Sequence, residues 1–200
     1  GAHVAGVPSR ALSWAELAAA GAAAGGTGLS AESADRLGGP THPYGTHASV
    51  VEVDVETGAV VLLAHAAVDD CGVALDVESV VGQQHGGAAA GISQALMEAA
   101  VGDDDGTPLT TTFADYLIAS ATSLPMIATR RPGIPTERNL LGARGIGENG
   151  AIAAPPAVQN AVVDALAHLG VTHVDIPLTP ERVRRAVVAA GRTADANPRT

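Results

Sequence analysis

Aromatic residues are nearly absent: Trp14, Tyr44, Phe113 and Tyr116 are the only ones in 200 residues. The hydrophobic share of 46% therefore rests largely on alanine and valine. Such side chains bury little area each, and at about 25 cal/mol per Å² a core made of them implies a chain that packs on a larger body. Basic residues are also scarce, with Lys+Arg 11 against Asp+Glu 21 and a formal net charge of −10. That balance excludes a phosphate-tracking surface, so nucleic acid is not an expected partner. A single cysteine, Cys71, rules out an internal disulfide framework and any multi-cysteine zinc or iron–sulfur site. It also fits a reducing, cytoplasmic setting. No apolar run reaches about 18 residues, and the N-terminus lacks the basic-then-apolar order of a signal peptide, so neither membrane insertion nor secretion finds support. The chain opens on Gly1 rather than methionine, and an upstream portion is an expectation.

The length suits one domain or two small ones. Residues 1–40 read as a loosely structured segment, 41–190 as the main domain and 191–200 as a disordered tail. Within the first, Ser13 and Glu16 match a capping box that starts a short helix over Trp14, Leu17 and Ala18. From His47 to Glu56 the valines at 51, 53 and 55 alternate with acids, which predicts a strand with one wet face. Glu56-Thr57-Gly58 is a turn signal and Ala59–Val68 the partner strand, apolar on both sides and so internal to a sheet. Asp69-Asp70-Cys71-Gly72 reads as a turn, and Asp76–Ala100 has helical spacing interrupted by Gly82, Gly86, Gly87 and Gly91. Each glycine costs a helix about 1 kcal/mol relative to alanine; close helix packing and backbone approach to a ligand are the two explanations. Val101–Thr110 is an acidic loop, and Phe113–Ser120 suits either helix or strand. Pro155-Pro156 opens an amphipathic helix ending at Gly170, Val171–Leu178 alternates as a short strand, and Thr179-Pro180 starts a last helix. The fold class is α+β: a mixed or antiparallel sheet hairpin with packed helices.

The most unusual stretch is Gly142-Ala143-Arg144-Gly145-Ile146-Gly147-Glu148-Asn149-Gly150, one acid among glycines ahead of a helix. Glycines expose backbone N–H groups and admit a ligand, against which the acid is delivered; a plain surface loop is the alternative. Gly145, Gly147 and Gly150 also satisfy G-x-G-x-x-G, with Asp175 on a later strand. That dinucleotide fingerprint further requires a hydrophobic strand entering the first glycine and a helix starting within the motif, whereas Glu137–Arg144 is polar and Pro155-Pro156 postpone the helix. The seven histidines form no H-E-x-x-H pair, so no protein-held catalytic metal is expected. There is no G-x-S-x-G elbow, and Cys71 reads as a small buried hydrophobe.

Taken in order, several motifs resemble the molybdopterin-binding large subunits of xanthine dehydrogenase, aldehyde oxidase and aerobic carbon monoxide dehydrogenase. They are Tyr44-Gly45-Thr46-His47, Val51-Glu52-Val53-Asp54, Val68-Asp69-Asp70-Cys71-Gly72, Gly82-Gln83-Gln84-His85-Gly86-Gly87, Thr112-Phe113-Ala114-Asp115-Tyr116-Leu117 and Gly145-Ile146-Gly147-Glu148. The resemblance runs from about Tyr44 to Val187. It implies that Gln83 contacts the pterin, that the backbone of Gly145 and Gly147 lines its molybdenum end, and that Glu148 is the catalytic base of an oxidative hydroxylation. The implied substrate is an aldehyde, an N-heterocycle or a CO-like small molecule. A carboxylate in a cramped, partly desolvated pocket would have the raised proton affinity that suits such a base. The implied cofactor is molybdopterin, in its plain or cytosine-dinucleotide form, held by its own dithiolene; FAD and 2Fe-2S clusters are implied on partner subunits. Two departures stand out. Ala90 replaces a second glutamine that many relatives carry, and the family's upstream cofactor loops have no counterpart here. The chain is thus a fragment, one piece of a split subunit or a degenerate relative, and a non-catalytic structural or interaction role and a dinucleotide-binding module are the alternatives to catalysis.

Overall fold

A computed structural model describes residues 1–25, 30, 32, 34 and 38–196, with side chains to Gly191. The chain divides into two compact units, Gly1–Leu37 and Gly38–Thr200. The first, which the sequence offers as loosely structured, holds an antiparallel pair β1 (Ala2–Val4) and β2 (Val7–Leu12) and a helix α1 (Trp14–Ala23). The capping box forms as expected: the Ser13 N–H donates to Glu16 Oε2 at 2.7 Å, and the Glu16 N–H to Ser13 Oγ at 3.3 Å. No residue of α1 is buried.

The second unit is built on a mixed three-stranded sheet of order β3-β4-β5. Strands β3 (Tyr44–Val53) and β4 (Val60–Asp70) form the expected antiparallel hairpin. Its turn closes through Gly58, whose N–H donates to Asp54 O at 2.7 Å and whose φ of 79° favours glycine. Strand β5 (Ile127–Arg130) pairs in parallel with His65–Val68 on the other edge of β4, so that end of β4 is central; the apolar Val60–Ala64 stretch, expected to be internal to the sheet, pairs among the described residues with β3 alone. One sheet face is covered by helices α2 (Val77–Leu96) and α3 (Asn149–Leu166). Between them Leu62, Ala88, Ile92, Ala154, Val158, Val162 and Leu166 form the core. The other face leaves Val50, Val61, Leu63 and Val68 exposed.

Several elements differ from expectation, each for a local reason. Asp69 and Asp70 end β4 as buried residues rather than forming a turn, because both carboxyls find hydrogen-bond donors beneath the sheet. Phe113–Ser120 is neither helix nor strand; it is held by turns of its own and by the Ala119 N–H donating to Ser93 Oγ at 2.9 Å. Helix α3 begins at Asn149, so Pro155 and Pro156 lie inside it. Pro155 is buried where Gly91 leaves room for its ring, and that packing offsets the lost backbone donors. Val171–Leu178 is irregular rather than a strand, since it docks on helices: the Leu178 N–H donates to Ala95 O at 2.6 Å and Gln159 Nε2 to Val174 O at 2.8 Å. The last helix, α4, runs Pro180–Ala196, so the expected tail is helical as far as Ala196, and the remainder lies outside the described residues.

Candidate functional site

The loop before α3 is fixed by its neighbours before any ligand is considered. Residues 142–144 zip onto 71–73: Gly72 and Ala143 form a bridge, Val73 N–H donates to Gly142 O at 3.0 Å and Arg144 N–H to Cys71 O at 2.6 Å. The Arg144 guanidinium then binds Asp70 Oδ1 at 2.9 Å and Ile134 O at 2.6 Å, and sits 5.4 Å from the centre of the Tyr44 ring. Burial alone would push the Asp70 carboxyl up. The N–H groups of Ile134 and Gly72, the Arg144 charge and the Tyr44 hydroxyl outweigh it and hold Asp70 below the usual carboxylate range. Ile146 completes the anchorage, buried against Cys71 and Val80.

On either side of that plug the chain faces outward. Gly145, Gly147 and Glu148 are exposed. A Cβ at Gly145 would meet nothing within 4 Å, and one at Gly147 would meet only Gln83 Oε1, at 3.5 Å. Gln83 is itself exposed on α2, on the same face as Gly82 and Gly86, where an added Cβ would also meet open space. The structure therefore brings Gln83, Gly145, Gly147 and Glu148 together. It does not enclose them: the desolvated pocket expected around Glu148 is not formed by the described residues. Glu148 occupies the N-cap position of α3, its carbonyl accepting from Ile152 N–H at 3.0 Å, while its side chain makes no capping bond. It borders a groove of about 300 Å³ shared with His42, Tyr44, Gly45, Asn149 and Ile152.

Helix α3 does start within the G-x-G-x-x-G stretch, at Asn149, rather than being postponed to Pro155-Pro156, but the residues leading to Gly145 form no strand, and Asp175 lies in an irregular segment. The phosphate-cradling geometry of a dinucleotide fold needs that strand.

Beneath the site lies a polar chain that the sequence reading missed. Ser49 Oγ is 2.9 Å from His65 Nδ1, His65 Nε2 is 3.1 Å from His47 Nδ1, and His47 Nε2 is 3.2 Å from Asp69 Oδ1. The tautomers can be assigned so that the Ser49 hydroxyl donates to His65, His65 to His47 and His47 to the carboxyl. Burial first, and the neighbouring His47 second, lower the His65 pKa to about 4, against a smaller opposing pull from Asp69. An unfolded histidine takes its proton near 6.5. Between those values the unfolded chain holds the extra proton, so stability present above pH 6.5 is lost as the pH falls toward 4. The gap is worth at most about 3 kcal/mol. Urea unfolding at pH 7 and pH 4.5 should show a clear loss in the parent chain and a smaller one in His65→Gln; equal losses would refute the assignment.

Residues 1–125 match the family model of the molybdopterin cofactor-binding domain. The chain belongs to that family. It is 40% identical over 147 residues to the nicotine 6-hydroxylase large subunit of Paenarthrobacter nicotinovorans, and 35% identical over 147 residues to the carbon monoxide dehydrogenase large chain of Hydrogenophaga pseudoflava. In each case the match covers 74% of this chain and 18% of the relative. The chain therefore spans about a fifth of their length. Quinoline 2-oxidoreductase from Pseudomonas putida 86 superimposes with a TM-score of 0.78 at 37% identity, over 93% of this chain and 25% of that one. The Gly145–Glu148 loop lies beyond the residues matched by the family model.

Proposed function

We propose that this chain forms one wall of the molybdopterin site in a molybdenum hydroxylase large subunit and supplies Glu148 as its general base. The observation that carries this reading is a set of glycines the fold does not require. Gly145 and Gly147 have ordinary backbone angles and room for a side chain, so close packing gives no reason for glycine there. Bare backbone beside the Gln83 amide fits a flat, polar heterocycle that needs close approach and hydrogen-bond partners. When bound, molybdopterin supplies the two-electron redox chemistry of hydroxylation. The residues of this chain bind and orient: Gln83 offers its amide to the pterin, and Gly145 and Gly147 let the group approach. Glu148, whose side chain makes no hydrogen bond to the described residues, receives a proton from the oxygen nucleophile.

The substrate class is an aldehyde, an N-heterocycle or a CO-like small molecule. The rest of the large subunit is the first partner, and the open apolar face of Val50, Val61, Leu63 and Val68 suits burial against it. Subunits carrying FAD and 2Fe-2S clusters complete the electron path in a cytoplasmic hetero-oligomer, and the cofactor is molybdopterin or its cytosine dinucleotide. A non-catalytic structural role is the second reading, favoured by the exposure of Glu148.

Gly145→Val and Gly147→Val in the full hydroxylase separate the two readings. Neither residue has backbone in its way, so thermal stability should change little. Molybdenum content of the purified enzyme should drop at least about fivefold, which for binding is roughly 1 kcal/mol. Full molybdenum occupancy in both variants would overturn the proposed wall.

A further inference from the structure

The proposed base and the proposed pterin contact each have a neighbour that points the other way. Next to the exposed Glu148 is the buried Asn149, and next to the exposed Gln83 is the buried Gln84. Both buried amides end on one carboxyl. Asn149 Nδ2 donates to Asp69 Oδ1 at 3.2 Å and Gln84 Nε2 to Asp69 Oδ2 at 3.1 Å, while His47 Nε2 donates to Oδ1 at 3.2 Å. Asp69 is fully buried at the end of β4, with side-chain donors from β3, α2 and the first residue of α3 converging on it. Gln84 also donates to Arg130 O at 3.1 Å, and Asn149 to Tyr44 O at 3.5 Å, so neither amide has a spare donor arrangement to fall back on. Behind His47, the histidine chain to Ser49 fixes the ring that completes the set.

The geometry points to Asp69 as a positioning residue that sets the spacing between Gln83 and the Gly147–Glu148 turn by holding Gln84 and Asn149 from below. This rests on the reading of Glu148 and Gln83 given above. A carboxyl is the group the place demands, because every polar side chain aimed at it is a donor and only an acceptor on both oxygens satisfies them. Asparagine would turn an N–H₂ toward at least one of those donors, releasing the α2 or the α3 tether while nearly preserving volume.

The experiment is Asp69→Asn in the full hydroxylase, with Asn149→Ala as a second variant that cuts the α3 tether alone. Hydrogen exchange is followed at residues 152–154, where the Ile152 N–H closes the first turn on Glu148 O, together with kcat, KM and molybdenum content. The expected result is at least tenfold faster exchange at 152–154, kcat lower by at least tenfold, KM within about twofold and unchanged exchange in β3 and β4. Unchanged exchange at 152–154 overturns the proposal, and so does faster exchange throughout β3 and β4, which would make Asp69 a general support of the fold. If Asp69→Asn does not accumulate, Asn149→Ala decides by the same criteria. Glu148→Gln serves as reference: full turnover there removes the base assignment, while the exchange at 152–154 still decides the role of Asp69.

Discussion

Gly150→Ala should destabilise the chain by about 3 kcal/mol, whereas Gly82→Ala, on the same pair of helices, should stabilise it by about 0.5–1 kcal/mol. The two glycines look alike in the sequence and differ in what surrounds them. A methyl at 150 would overlap the backbone nitrogen of Ala88 and the carbonyl carbon of Gly87 and stand 2.8 Å from Gly87 Cα. These are backbone atoms and cannot swing aside, so α2 and α3 would have to separate where Ala88, Ile92 and Ala154 are fully buried. Gly91 belongs to the same contact, with an added Cβ 3.0 Å from Gly150 O and 2.9 Å from the Pro155 ring. Gly82 faces open space, and there alanine only lowers the entropy of the unfolded chain and improves helix propensity. Urea unfolding of the two variants beside the parent gives the test. A loss below about 1 kcal/mol for Gly150→Ala would mean that the helices are not held at backbone contact.

That division among the glycines explains how far the sequence could be read. Alternation located the hairpin because Val51 and Val53 turn toward the helices while Glu52 faces water. Spacing located α2 because Val80, Ala88, Ile92 and Ala95 share one buried face. The four glycines of α2 were legible as anomalous, but close packing accounts for only two of them: Gly87 and Gly91 meet α3, while Gly82 and Gly86 are open. Nothing local separates the two pairs, since the difference is made by α3, more than fifty residues on. The start of α3 was misplaced for a related reason. Two prolines ordinarily open a helix, and only the space beside Gly91 lets them lie within one. Strand β5 is short and takes its place from β4 rather than from any pattern of its own. The Asp69 network did leave a trace: His47 and Ser49 continue the inward register of Val51 and Val53, which puts polar groups where the hairpin should be apolar. Such groups need partners. The sequence could not supply them, because Gln84 and Asn149 arrive from other elements.

Glu148→Gln should lower kcat of the full hydroxylase by roughly 10²–10⁴-fold, the range set by losing a positioned general base. The substitution keeps the size and shape of the side chain and removes its capacity to accept a proton. It should leave stability within about 0.5 kcal/mol, as expected for an exposed side chain that makes no capping bond. Molybdenum content should also be unchanged, because the cradle is assigned to Gln83 and to the backbone of Gly145 and Gly147. Glu148→Asp provides the graded control: it retains the carboxylate but withdraws it by one methylene, and kcat should fall between the parent and the amide. Loss of activity together with loss of molybdenum would move Glu148 from proton transfer to cofactor binding. Turnover within a few-fold of the parent would eliminate it as the base and leave the wall without its chemical group. The prediction is sharp because the fold makes so little use of this side chain. Ile146 anchors the loop, Arg144 and Asp70 lock its entry and Asn149 ties the helix start to Asp69, so the Glu148 side chain can be changed without disturbing what holds the loop.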